Sequence, residues 1–409
     1  MKVELLREAF RREAFTISFD ESAAFTEVYG FVGRSGRVFL EGHLLTPRGA
    51  GEGEERDTLI LFMHPASSLG LLPLPTAMAA AGFHVMCGGS RYLRNDTALI
   101  MEKVALDMGA YVRHARDNLG YRKVVLAGWS GGGSLSLFYQ AQAERPTVTM
   151  TPAGDPLDLR AAALPPADAV LSIAAHLSRA ETLTEWIDPS VLDESNPDLR
   201  DPDLDIYAPD PRHRSPFSAD FLAHFRAAQV ARNERITVWA EEMLDRLKTR
   251  GGAELERGFM VHRTMCDPRW IDPAVDPNGR RADWCYLGDP RTANVGPVGL
   301  ARYTTLRAWL SQWSYDRSNA RTMMNAPRIS VPALVIENGA DDATPAAHPR
   351  LIFEALGSRD KTFRRIEHAT HYYQQQPHLL VQAVEEVREW LRARDFRVPE
   401  AARGPALAD

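Results

Sequence analysis

The sequence predicts an α/β fold, a doubly wound and mostly parallel sheet into which a mainly helical cap is inserted. Three observations predict it. Short, nearly continuous apolar runs recur along the first part of the chain and return near its end, as expected of strands covered on both faces. Segments with apolar residues at three- and four-residue steps lie between them, so strand and helix alternate and a parallel sheet follows. Between residues 177 and 328 that alternation stops, and Pro, Asp and Arg crowd the chain.

The runs Val38-Phe39-Leu40, Leu59-Ile60-Leu61-Phe62-Met63, Phe83-His84-Val85-Met86-Cys87 and Val124-Val125-Leu126-Ala127 read as strands, and Ala169 to Ile173 as another. A helix is expected over Pro75 to Ala81, ending at Gly82. A second has Met101, Val104, Met108, Val112, Ala115 and Leu119 on one face, with Asp96 or Thr97 as cap and Gly120 as its end. In the insert, residues 188–216 read as irregular, Ile236, Trp239, Met243 and Leu247 share a helical face, 267–297 is Pro/Gly-rich, and Leu306, Leu310 and Trp313 mark a final helix. The sheet resumes at Ala333-Leu334-Val335-Ile336 and at Phe363 to Ile366. An amphipathic helix follows (Leu380, Val384, Val387, Leu391), then a Pro/Ala-rich tail expected to be mobile. The resulting division is core 1–176, cap 177–328, core 329–397 and tail 398–409.

Of 409 residues, 44% are hydrophobic and 25% charged, enough to build a large core, and the net charge of −6 gives no electrostatic reason to hold nucleic acid. No stretch approaches the ~20 apolar residues that cross a bilayer, and the charged start, Met1 to Glu8, lacks the apolar centre of a signal peptide. Three cysteines (Cys87, Cys266, Cys285) build no disulfide framework and suit a reducing compartment. A cytoplasmic protein acting on a small molecule is therefore expected, without a membrane or nucleic-acid partner. The oligomeric state stays open, a homodimer included.

The strongest chemical signal is Gly128-Trp129-Ser130-Gly131-Gly132, a G-x-S-x-G between a strand and a helix expected over Ser134 to Glu144. Glycines on both sides permit a turn tight enough to expose the Ser130 hydroxyl. The absence of a Gly-Lys-Ser/Thr triplet excludes a Walker loop. A serine nucleophile needs a base, and Ile366-Glu367-His368-Ala369-Thr370-His371 supplies two candidates after a strand. Chain order and the small residues before it favour His371 over His368. The base needs a carboxylate, and Asp341 and Asp342 follow the preceding strand. Asp341 in the turn is favoured, with Asp342 nearer a helix cap. Oxyanion donors are expected in the N–H groups of Gly131, just past the serine, and of Ala66, in the loop His64-Pro65-Ala66-Ser67-Ser68. Trp129 beside the serine, His176 after a strand and Arg91 after another are substrate-binding candidates. For these three, packing, a loop histidine and an ion pair are the structural readings.

Together, the elbow at Ser130, His64-Pro65, Asp341 and Ala369-Thr370-His371 resemble the α/β-hydrolase superfamily over residues 30–175 and 328–395. The resemblance implies a Ser130–Asp341–His371 triad with Ala66 and Gly131 as oxyanion hole. It also implies carboxylic ester hydrolysis through an acyl-enzyme, needing neither metal nor cofactor. Amide or carbon–carbon hydrolysis and acyl transfer use the same triad, and a non-catalytic binding protein would need none of it. A serine at this position argues against a dehalogenase or epoxide hydrolase, which the resemblance associates with aspartate. Two departures stand out: Pro65 replaces the usual glycine and has no N–H, and the insert matches no known cap.

Overall fold

The computed structural model describes residues 9–21, 36–48 and 57–399. The charged start at 1–8 and the tail from 400 onward lie outside them. Among the described residues, ten strands form two sheets. The main sheet contains β1 (Phe10–Asp20), β2 (Arg37–Pro47), β3 (Thr58–His64), β4 (Val85–Gly89), β5 (Lys123–Trp129), β6 (Ala169–Ile173), β9 (Ala333–Asn338) and β10 (Lys361–Ile366). Their spatial order is β1-β2-β4-β3-β5-β6-β9-β10. From β4 to β10 every pairing is parallel, whereas β2 runs antiparallel to both β1 and β4. The sheet is covered on both faces. Leu59, Leu61, Val124, Leu126 and Val170 point into one core, and Ile60, Phe62, Val125, Ala127 and Leu171 into the other. This is why the central strands read as unbroken apolar runs.

The helices around the sheet are α1 (Pro73–Ala80), α2 (Met101–Arg113), α3 (Gly131–Glu144), α7 (Ala347–Ala355) and α8 (Pro377–Arg392). In α8, Leu380, Val384, Val387 and Leu391 are buried as their spacing predicts. Gly82 lies past the end of α1 at φ 97°, a left-handed conformation glycine adopts without penalty. The expected cap on α2 differs: Ile100 precedes the helix without a side-chain cap. Asp96 instead pairs with Arg179, and the Thr97 carbonyl accepts from Thr305 N–H at 3.0 Å.

Strand β1 was not foreseen. Phe10 is buried at its start and Phe15, Ile17 and Phe19 alternate inward on this half-exposed edge, with charged residues between. The insert holds α4 (Arg179–Trp186), the 32-residue α5 (Ala219–Arg250), α6 (Pro290–Val295) and a second sheet of β7 (Gly258–Met260) against β8 (Tyr303–Thr305). Ile236 and Leu247 of α5 are buried, while Trp239 sits at the rim, 38% exposed. Leu306, Leu310 and Trp313 are buried as expected, but the backbone carrying them is one α-turn followed by a π-turn at Trp309–Trp313. The insert has its own apolar clusters, one built on Trp309 and Trp313, another on Trp186 and Trp270. It is also bonded to the main body: Ser311 Oγ accepts from Met101 N–H and donates to Glu102, both at 2.8 Å. Among the described residues no helix is long and apolar enough to cross a membrane.

Candidate active site

Strand β5 ends at Trp129 and α3 begins at Gly131, so Ser130 carries the whole reversal. Its φ of 54° and ψ of −125° are strained for a residue with a Cβ, a cost of order 1–3 kcal/mol held by its surroundings. Ser130 N–H donates to Ile173 O at 3.2 Å, and Gly133 N–H donates back to Ser130 O at 2.9 Å. At Gly132 a Cβ would run into the Met63 carbonyl, so the α3 start can lie against the end of β3 only because glycine stands there. The first-turn N–H groups of α3 face the serine and favour negative charge.

Beyond β9, Asp341 Oδ1 accepts from Ala343 N–H at 2.8 Å and Thr344 N–H at 2.7 Å. This leaves Oδ2 for His371 Nδ1, 2.9 Å away. Both side chains are buried. His368 is exposed and its carbonyl accepts from Gln376, so it takes no part. Asp342 is not the partner either. Burial, followed by the neighbouring Asp341 charge, pushes its carboxyl above the usual range, and its Oδ1 has no hydrogen-bond partner among the described residues. Trp129 supports His371 from below: its Nε1–H donates to His371 O at 3.3 Å and its ring centre lies 4.4 Å from the imidazole.

Two further histidines close on the serine. A methyl group added to Gly131 would sit 2.7 Å from His64 Nε2 and 3.3 Å from His176 Nε2. His176 therefore reaches the site from the end of β6. Burial, then the nearby His348 and Arg179, pushes its pKa well below the usual value. His64 Nδ1 accepts from Ala66 N–H at 3.2 Å and Ser67 N–H at 3.0 Å. This changes the oxyanion expectation: the Ala66 amide is committed to the imidazole beside it, and Pro65 offers no N–H itself. The loop is pinned, Ser90 Oγ donating to Pro65 O and Arg94 N–H to Ala66 O at 2.7 Å. His64 was the residue missed. Its signal was the proline beside it, which has no N–H to offer in this loop.

Arg91 is not brought to the site. Its Nε and Nη2 donate to Asp107 at 2.9 and 2.7 Å, and its Nη1 meets Glu21. The guanidinium is thus held in a buried ion pair, without a free edge for a substrate carboxylate.

Residues of the 267–297 stretch hold the Asp341 loop. Asn278 Nδ2 donates to Asp341 O at 2.9 Å, Gly279 N–H to Gly339 O at 2.8 Å, and Trp270 Nε1 to Asp342 O at 3.2 Å. Asp276 accepts from the N–H groups of Ala346 and Ala347 before α7. Tyr286 brings a ring to 6.5 Å from His371. These bonds fall in the Pro/Gly-rich stretch 267–297, where composition shows irregular backbone but not its contacts. Cys87, Cys266 and Cys285 are all buried and unpaired, and no group of three metal-binding side chains occurs among the described residues.

Sheet order, the antiparallel second strand and the serine elbow after β5 match the α/β-hydrolase fold. No family model matches the chain and no curated protein matches it. Among solved structures it is similar to DcsB in complex with its substrate analogue, at 12% identity over 93% of this chain and 99% of that one, with a TM-score of 0.49. It is also similar to brefeldin A esterase, a bacterial homologue of human hormone-sensitive lipase, at 14% identity over 97% and 78% of the two chains, with a TM-score of 0.46. A third is Est1E from Butyrivibrio proteoclasticus, at 11% identity over 87% and 96%, with a TM-score of 0.45.

Proposed function

We propose that the protein is a serine hydrolase that cleaves a carboxylic ester of a small molecule through an acyl-enzyme on Ser130. The observation that carries this reading is the buried Asp341–His371 pair at 2.9 Å, on loops at the same sheet edge as the strained Ser130 elbow. Asp341 holds the proton on His371 Nδ1, which leaves Nε2 free to accept one. Ser130 Oγ attacks the ester carbonyl carbon while its proton passes to His371. The carbonyl π electrons move to oxygen, and the Gly131 N–H stabilises that oxyanion at the α3 N-terminus. As the intermediate collapses, the alkoxide leaves with the proton from His371, and the acyl group remains on Ser130. Water then attacks with His371 again as base, and the acid is released. His176 lines the approach to Ser130 and contacts substrate; Trp129 holds His371.

The test is hydrolysis of p-nitrophenyl esters of increasing acyl length by wild type and Ser130→Ala. Activity in wild type that falls to the uncatalysed rate in Ser130→Ala supports the reading. Activity that survives the substitution overturns it.

A further inference from the structure

The loop after β3 has an unusual hydrogen-bond balance. Pro65 has no N–H, and the next two amides, Ala66 and Ser67, both donate to one acceptor, His64 Nδ1. A ring nitrogen receiving two N–H donors is unprotonated, so the ring proton sits on Nε2. That nitrogen lies against Gly131, close enough that a methyl group there would be 2.7 Å away. His64 is half-buried. The structure thus holds an oriented donor beside the serine, where the Ala66 amide is committed to His64.

We propose that the second oxyanion donor is the side-chain Nε2–H of His64, acting with the Gly131 N–H in place of a backbone amide from the β3 loop. This rests on Ser130 being the nucleophile. As Oγ attacks, negative charge grows on the carbonyl oxygen and His64 donates a hydrogen bond to it without transferring its proton. A donor must stay protonated at Nε2 and uncharged to remain in a buried site. Burial, then the nearby Arg179 and His371, pushes the His64 pKa down to about 3, so the ring is neutral throughout the working range. His176 is a weaker candidate: its Nδ1 has no partner among the described residues, so nothing selects which nitrogen carries the proton.

Two substitutions separate this role from that of a loop brace. Asn places an oxygen near the Nδ1 position, keeping the acceptor for Ala66 and Ser67, but cannot reach the cleft. Gln places an amide N–H near the Nε2 position. The readout is the rate at which an alkyl fluorophosphonate labels Ser130, located by peptide mass spectrometry, since its phosphoryl oxygen gathers charge under serine attack and the substrate need not be known. We expect His64→Asn to label about 10²-fold more slowly than wild type, with a thermal midpoint near wild type because the Nδ1 acceptor is kept, and His64→Gln to stay within about tenfold of the wild-type rate. Labelling of His64→Asn at the wild-type rate, or a slower His64→Gln than His64→Asn, overturns the proposal while leaving Ser130 as nucleophile. No labelling of wild type at Ser130 overturns the hydrolase reading, and this proposal with it.

Discussion

Replacing Asp341 by Asn tests the acid with almost no change of shape. The amide oxygen can keep both bonds now made by Oδ1, from Ala343 N–H at 2.8 Å and Thr344 N–H at 2.7 Å. The amide nitrogen then faces His371 Nδ1, where Oδ2 stood at 2.9 Å. An NH₂ group cannot accept from that nitrogen. It donates instead, so Nδ1 loses its proton and Nε2 gains one. Nε2 is the atom that must take the proton from Ser130, so the base is disabled in its resting tautomer. Loss of the correct tautomer costs about 10⁴ in kcat, equivalent to ~5.5 kcal/mol in the barrier. Stability should change little, because the loop bonds survive. Asp341→Ala, by contrast, also leaves two buried N–H groups unpaired at roughly 1–3 kcal/mol each. The assay is kcat on the best p-nitrophenyl ester alongside urea unfolding, with Asp342→Asn in parallel. An Asp341→Asn enzyme within tenfold of wild type, or a larger loss in Asp342→Asn, refutes the assignment.

Further outcomes follow from neighbouring residues. Arg91→Ala leaves Asp107, fully buried, without its guanidinium partner and should cost about 3–5 kcal/mol in urea unfolding, with kcat/KM of the folded enzyme unchanged. A fall in kcat/KM at unchanged stability would return Arg91 to the substrate. Acid should destabilise the protein through His64. Unfolded His64 binds a proton below its ordinary value of 6.5, whereas folded His64 resists until about 3. The unfolded state thus binds more protons in that window, and stability falls by ~1.4 kcal/mol per pH unit as pH drops through it. Unfolding measured from pH 7 to 4 should show a shallower acid loss in His64→Gln than in wild type. Identical slopes would mean that His64 is protonated in the folded state.

How much of this was legible in the sequence depended on whether the signal was local. Strands β3, β5 and β9 are covered on both faces, so their identity appears as apolar runs. The serine elbow is a backbone event confined to five residues, and its glycines announce it. Asp341 and His371 were legible through chain order, since each follows a strand at the sheet edge. The edge strand β1 was not, because its few inward residues are separated by exposed and charged ones. The clamp that Asn278, Gly279 and Trp270 place on the Asp341 loop was hidden for another reason: it is made largely of bonds to backbone carbonyls, which any residue provides. The oxyanion loop lay between these cases. Pro65 announced that an amide was missing, but only the three-dimensional turn shows Ala66 N–H bent onto His64.

The most direct measurement is capture of the acyl-enzyme. Wild type is mixed with a slowly deacylating p-nitrophenyl trimethylacetate, quenched in acid and digested, and the acylated peptide is sequenced by mass spectrometry. The account predicts a burst of one equivalent of p-nitrophenol and one trimethylacetyl group, carried on Ser130. Product formation without a covalent acyl group, or with the group on another side chain, would contradict it.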